Sequence, residues 1–200
     1  DEDEALRAKV NEALVPMGLR YEGTCEITHY LWALVQDYGL DNLKKRVKRP
    51  LSNLSVANFY GCHILMPPDV MGFENPRNPR SMEMLAEALG ARNVDFEQRL
   101  ACCGFHAIYP AECEALASNG VSCLTARAAG ADCLVTPCPL CHMAIDMWQA
   151  DSQKRFDADI TMPVLHLPQL VGLALGFTPK EMAIDRHVVK AAPMLERKLT

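Results

Sequence analysis

The chain has 200 residues, half of them hydrophobic, which suits one domain with a sizeable core or one domain with an extra segment. Its 25 acidic and 20 basic residues give a net charge of −5, so there is no general electrostatic case for nucleic-acid binding. No apolar run approaches the roughly 20 residues that span a bilayer, and nine cysteines without a visible signal peptide point to a reducing, cytoplasmic compartment and to metal or redox use.

Asp1 to Gly18 alternates apolar and charged residues at helical spacing, with Ala5, Val10, Leu14 and Met17 on one side and Gly18 as the stop. The chain starts at Asp1 rather than methionine, which leaves room for a preceding segment. Glu26 to Tyr38 repeats the helical pattern through Ile27, Tyr30, Leu31, Leu34 and Val35. Gly39 is expected to end that helix and Asp41 to cap a third. The run from Lys44 to Arg49 is the one basic stretch. It reads as a solvated helix end, with a docking patch for an acidic partner as the functional alternative. Pro50 closes this part, so residues 1–50 are expected to form a helical linker or docking segment and residues 51–200 the main domain.

From Leu51 the rhythm changes. Ser55 to Tyr60 reads as a buried strand, and Pro67-Pro68 opens a long loop running to Pro79. Ser81 is the expected cap of a helix over Met82–Leu89, with Gly90 after it. Strands are expected at Arg92–Phe96, Cys133–Thr136 and Val164–Leu167. Helices are expected at Ala111–Ala129, where Gly120 is a candidate break, at Leu140–Gln153, at Gln169–Leu175 and again after Pro179. Strands alternating with helices predict an α/β fold: a parallel sheet with flanking helices, a helical N-terminal segment, and cysteine-rich loops at the strand carboxyl ends.

The cysteines carry the chemistry. They fall as Tyr60-Gly61-Cys62-His63, then Cys102-Cys103-Gly104, then Cys138-Pro139-Leu140-Cys141-His142. A structural zinc site takes four ligands, and Cys62, Cys103, Cys138 and Cys141 would serve, but adjacent thiolates rarely bind one small tetrahedral ion. A dithiol redox pair explains Cys138 and Cys141 and leaves the others without a role. A multinuclear iron–sulfur cluster uses several thiolates, so ligand counting favours it. Cys62 and Cys138 each follow a predicted strand directly, and the doublet follows another by a few residues. That is where open α/β sheets place ligands.

This motif set resembles the cysteine-rich CCG domain, and most closely the second such domain in the B component of heterodisulfide reductase, including the heterodisulfide-reductase-like proteins of sulfur oxidation. Val47-Lys48-Arg49-Pro50-Leu51, Pro67-Pro68, Met71-Gly72-Phe73 and Gly130-Ala131-Asp132 match as well, so the resemblance runs over nearly the whole chain. It implies a non-cubane [4Fe–4S] cluster held by Cys62, Cys102, Cys103, Cys138 and Cys141, and thiol–disulfide redox chemistry. The implied partners are a second CCG module, a heterodisulfide reductase A-like flavin subunit and a C-like iron–sulfur subunit. The implied substrate is a thiol or disulfide, or a lipoate-bearing sulfur carrier. The chain departs from that B component in carrying one such cysteine set instead of two. It also has Phe105-His106-Ala107 where a glycine-rich run often follows the doublet. The iron–sulfur subunits of lactate and glycolate oxidation share the domain, but their final motif often lacks the full Cys-x-x-Cys present here.

His63, His106 and His142 neighbour these cysteines. Reduced disulfides need protons, and histidine titrates near neutrality. His63 directly follows an implied ligand and is the preferred proton donor, with a structural hydrogen bond as its other reading. For His106 and His142 a structural hydrogen bond is expected. Cys25, Cys113, Cys123 and Cys133 lie outside the motif and read mostly as small buried hydrophobes. Met66, Met71, Met82 and Met84 read as packing or shielding residues, and Trp32 and Trp148 as packing residues.

Overall fold

The computed structural model describes residues 3–25 and 27–199. Asp1 and Glu26, the first residues of two predicted helices, and Thr200 lie outside the described residues. Helix α1 (Glu4–Leu14) is capped by Asp3, whose carboxylate accepts the Leu6 amide at 2.9 Å, and a 3₁₀ turn carries it to Gly18. None of its residues is buried.

The second helix begins later than its periodicity suggests. His29 caps α2 (Tyr30–Trp32), a π-helical stretch spans Ala33–Gly39, and α3 (Leu40–Lys44) follows. Ile27 is outside the helix and exposed. Gly39 marks the joint as expected, but Asp41 sits in the first turn of α3 and makes no capping bond. Only Lys44 of the basic run is helical. The Lys48 and Arg49 amides both donate to the Ala174 carbonyl, so the run lies against another helix end.

Four short strands form one parallel sheet: β1 (Ser55–Asn58), β2 (Arg92–Val94), β3 (Cys133–Thr136) and β4 (Val164–His166), in the order β2-β1-β3-β4. Three are shorter than the apolar runs that announce them, because the chain leaves the sheet to build loops. A short helix α4 (Pro68–Met71) interrupts the long loop after β1. Helix α5 (Ser81–Ala88) has no cap from Ser81, contrary to expectation. Glu74, from the loop, instead accepts the Arg80 and Ser81 amides at 2.6 and 2.9 Å and also the Ser81 hydroxyl.

Helix α6 (Glu112–Ala128) runs unbroken through Gly120. The glycine serves packing: a Cβ there would lie 2.5 Å from the Phe156 ring. The helix expected over Leu140–Gln153 is two helices, α7 (Pro139–Met147) and α8 (Gln149–Phe156), turning at Trp148. Gln149 fixes the turn by bonding both the amide and the carbonyl of Met162, at 2.8 and 2.7 Å. Helices α9 (Leu167–Ala174) and α10 (Ala192–Lys198) complete the chain.

The pleat sorts side chains onto two faces. Val56, Cys133, Val135 and Leu165 face a core with α2, α3, α5, α9 and α10, where Leu31, Leu43, Leu85, Leu170 and Leu195 are buried. Ala57, Phe59, Leu134 and Val164 face the other core, with Cys123, Ala126, Ala144 and Ile145 from α6 and α7. Both faces are covered, as an all-parallel sheet requires. Cys123 and Cys133 are buried as expected, and burial pushes the Cys123 thiol up to about 12 and Cys133 higher still. Cys25 and Cys113 are exposed, against the expectation of burial, because they lie on a connecting segment and on the outer side of the first turn of α6. Met82 is buried, while Met66 and Met84 are largely exposed.

Candidate metal centre

In this strand order the chain goes from β1 to β2 on one side, then crosses to β3 on the other. The crevice between the β1 and β3 carboxyl ends is therefore a topological switch point, the usual ligand position in such sheets. Cys62 leaves β1, Cys138 leaves β3, and the doublet closes the connection from β2. Cys62, Cys102, Cys103, Cys138 and Cys141 line one cleft there, together with His63, Phe105, His106 and Leu140. The structure brings all five motif cysteines together, and none is in a disulfide.

Two glycines set the close approaches. Gly61 adopts φ +73°, and a Cβ on it would sit 2.8 Å from Cys141 Sγ. Gly104 adopts φ +77°, and its Cβ would strike the Ala115 backbone at 2.8 Å, so only glycine lets the doublet lie against α6. The Gly104 amide points back at Cys102 Sγ, 3.4 Å away.

The thiols do not behave alike. Cys138 caps α7, and a hydrogen bond from the Cys141 thiol, then the Cys141 and Leu140 amides and nearby His63, lower it to about 5 despite desolvation. Cys103 is lowered to about 7, first by the Cys141 thiol and then by the Phe105 amide. Cys141 lies between them and is pushed up, because its proton is shared with both sulfurs and it is buried. Cys62 is raised by burial and by its neighbours Cys102 and Cys103. The cleft thus already favours thiolate at Cys138 and Cys103, the form that binds metal.

Among the described residues, no three His, Cys, Asp or Glu side chains converge closely enough to hold one metal ion. A soft, all-sulfur set of this kind fits a group of several irons, whose separate metal atoms each take their own thiolates.

The histidines divide. His63 and His106 line the cleft and stack face to face, with centroids 5.5 Å apart. His142 turns away and packs against His187 at 4.6 Å and His166 at 6.1 Å. Its ring meets the Val164 backbone in a hydrogen bond, as the structural reading expects, while its Nε2 is buried without a partner among the described residues. Trp148 and Phe105 stack at 6.0 Å beside the doublet.

The supports of the cleft were not foreseen in the sequence. Tyr60 Oη donates to Glu83 Oε2 at 2.6 Å and accepts the Met82 amide at 2.9 Å. Arg99 binds the other Glu83 oxygen and the Pro79 carbonyl, and its own carbonyl accepts the Tyr60 amide. One buried carboxylate therefore ties the segment entering Cys62 to the segment entering the doublet. Burial and the Glu83 hydrogen bond push the Tyr60 phenol well above its ordinary value, so it stays protonated and donates. Behind Cys138, the Pro137 carbonyl accepts from His166 Nε2 at 3.2 Å and is also faced by His29. The Tyr60-Gly61 motif hints at the first support. Glu83, Arg99, His29 and His166 carry no local signal.

Comparison with known proteins agrees with this architecture. The family model for the CCG cysteine-rich domain matches residues 56–146. The chain is 47% identical over 192 residues to the membrane anchor subunit of 8-methylmenaquinol:fumarate reductase from Wolinella succinogenes, covering 96% of this chain and 67% of that protein. It is 34% identical over 199 residues to the B component of the ferredoxin/F420H2-dependent CoB–CoM heterodisulfide reductase of Methanosarcina acetivorans, covering 98% and 65%. A protein of Archaeoglobus profundus that is like the heterodisulfide reductase B component is 35% identical over 183 residues, covering 89% and 61%. The chain thus spans about two thirds of the length of the curated relatives it matches. A crystal structure of a hypothetical protein from Helicobacter pylori shares the fold, with a TM-score of 0.69 at 18% identity, covering 95% of this chain and 34% of that one.

Proposed function

This chain belongs to the CCG cysteine-rich domain proteins that include the B component of heterodisulfide reductase, and from that premise we propose that it is the iron–sulfur subunit of an oxidoreductase complex acting on thiols and disulfides. One observation carries the proposal: all five motif cysteines line one cleft at the switch point of the sheet. In this reading Cys62, Cys102, Cys103, Cys138 and Cys141 hold a non-cubane [4Fe–4S] cluster, which when bound supplies electrons to the substrate sulfur. The chain's own residues position and protonate. Gly61 and Gly104 admit the close backbone, Cys138 and Cys103 enter as thiolates, and His63 delivers a proton to the departing thiolate.

The proposed partners are a second CCG module, a flavin subunit like heterodisulfide reductase A and an iron–sulfur subunit like its C component. Residues 1–50 are the proposed docking segment. No described helix is long and apolar enough to cross a membrane. The proposed location is cytoplasmic, in keeping with nine cysteines and a need for free thiols. A second reading is favoured by the relative named as a fumarate reductase membrane anchor subunit. In it the cluster relays electrons between redox partners and no disulfide is cleaved.

Anaerobic purification followed by iron, zinc and sulfide analysis tests the core of the proposal. A brown protein with several irons per chain is expected, and Cys103→Ser is expected to lose the iron while Cys123→Ala keeps it. A colourless protein with one zinc, or full iron in Cys103→Ser, would overturn the five-thiol assignment. Disulfide turnover that appears only when a second CCG module is added separates the sulfur reading from the relay.

A further inference from the structure

A second cleft, of about 390 Å³, shares a wall with the thiol cleft. Cys138 and His63 line both. Its remaining lining is Ile27, Thr28, His29, Trp32, Ile64, Met71 and Pro139. No lysine, arginine, aspartate or glutamate is among them. His29 Nδ1 accepts the Leu31 amide at 3.1 Å, and a ring nitrogen that accepts a hydrogen bond carries no proton, so that side chain adds no charge. By contrast the cleft that carries Arg49, Lys180, Asp185 and Glu196 is lined by α10 and the segment after α9, with no cysteine in its walls.

Resting on the thiol–disulfide reading above, we propose that the cleft between Trp32, Met71 and Pro139 binds the uncharged, apolar arm of the sulfur substrate, with the sulfur end presented at Cys138 and His63. With the sulfur at His63, a carboxylate on the far end of the arm would lose its water and find no lysine or arginine; the donors left to it are the Thr28 hydroxyl and the buried Trp32 Nε1, which has no partner among the described residues. An alkyl chain loses nothing comparable and gains contact with the half-buried Trp32 indole, which is braced by its stack on Phe73 at 5.0 Å, and with the Met71 thioether. The cleft therefore selects by the charge of the arm, at a distance from the reacting sulfur.

The test uses the full anaerobic chain and two thioethers that cannot be oxidised to disulfides, n-hexyl methyl sulfide and 6-(methylthio)hexanoate, titrated by calorimetry. The hexyl compound is expected to bind at least about tenfold more tightly. Trp32→Ala is expected to weaken it by about fivefold, with iron content unchanged. Because Trp32 also packs on the core, Ile27→Lys is the second variant: Ile27 is 91% exposed, and the new ammonium is expected to narrow or reverse the preference. Equal affinity for the two compounds, or no effect of either variant, would overturn the proposal. So would failure of both to bind, which would leave a protein segment as the occupant. A chain that holds no iron but still prefers the hexyl arm would sink the cluster reading and keep this one. An iron-loaded chain without preference would do the reverse.

Discussion

Arg99 and Glu83 show how little of a site lies in its motif. Their side chains are 18% and 10% exposed and meet at 2.8 Å. Removing the cation leaves a buried carboxylate whose remaining partner is the Tyr60 hydroxyl. Losing one member of such a pair typically costs about 3–5 kcal/mol. Arg99→Ala is therefore expected to lower unfolding free energy by about 3 kcal/mol, read from urea denaturation, and to reduce iron loading because both cysteine-bearing segments lose their tie. Arg99→Lys, which keeps the charge without the fork, is expected to fall between. The five cysteines were legible because thiols are rare and their spacing follows the strands. Glu83 and Arg99 were not, because one is a helix residue and the other a loop residue, each of an ordinary surface type. Only the fold makes them meet.

Strand and helix order were also legible, since apolar runs and turn residues punctuate the sequence strongly. What failed were local rules overridden by a neighbour. Gly120 reads as a helix breaker, yet its cost is offset by the close passage of α6 and α8, where Phe156 fills the space a side chain would take. Gly120→Val is expected to destabilise by about 1–3 kcal/mol as an overpacking change, visible as a lowered midpoint in thermal unfolding. Phe156→Ala combined with it is expected to recover part of the loss, which a purely conformational role for the glycine would not allow. Ser81 lost its expected cap for a similar reason: Glu74, seven positions earlier, draws the Ser81 hydroxyl to itself along with the Arg80 and Ser81 amides, so the hydroxyl turns toward the loop and away from the helix.

Four of the six histidines share one region of the molecule, and His29, His142, His166 and His187 are all lowered below 6.5, in each case chiefly by burial. The folded chain takes up these protons less readily than the unfolded chain does. Stability is therefore highest above the ordinary histidine value and is lost as pH falls from 6.5 through the lowered folded values. Between pH 7.5 and 5.5 the melting temperature is expected to drop, on the order of 5 °C. His187→Asn is expected to flatten that slope, measured by calorimetric scans across the range.

The all-parallel sheet has a consequence in time as well as in space. Ser55 pairs with Arg92, Val56 with Cys133 and Leu134 with Val164, so no strand pairing closes a short loop. Such non-local pairing is slow to form. The five thiols come from the segments after β1, β2 and β3, so their cleft exists only once the distant pairings are made. Until then the chain offers isolated cysteines, open to oxidation or to stray metal. Cluster insertion should therefore follow the slowest folding phase, and a chain refolded before exposure to iron and sulfide should load faster than one exposed while unfolded. Stopped-flow absorbance of loading, set beside tryptophan fluorescence of refolding, would show the two rates coincide in the second case and separate in the first. The order of events in assembly is thereby written into the order of the strands.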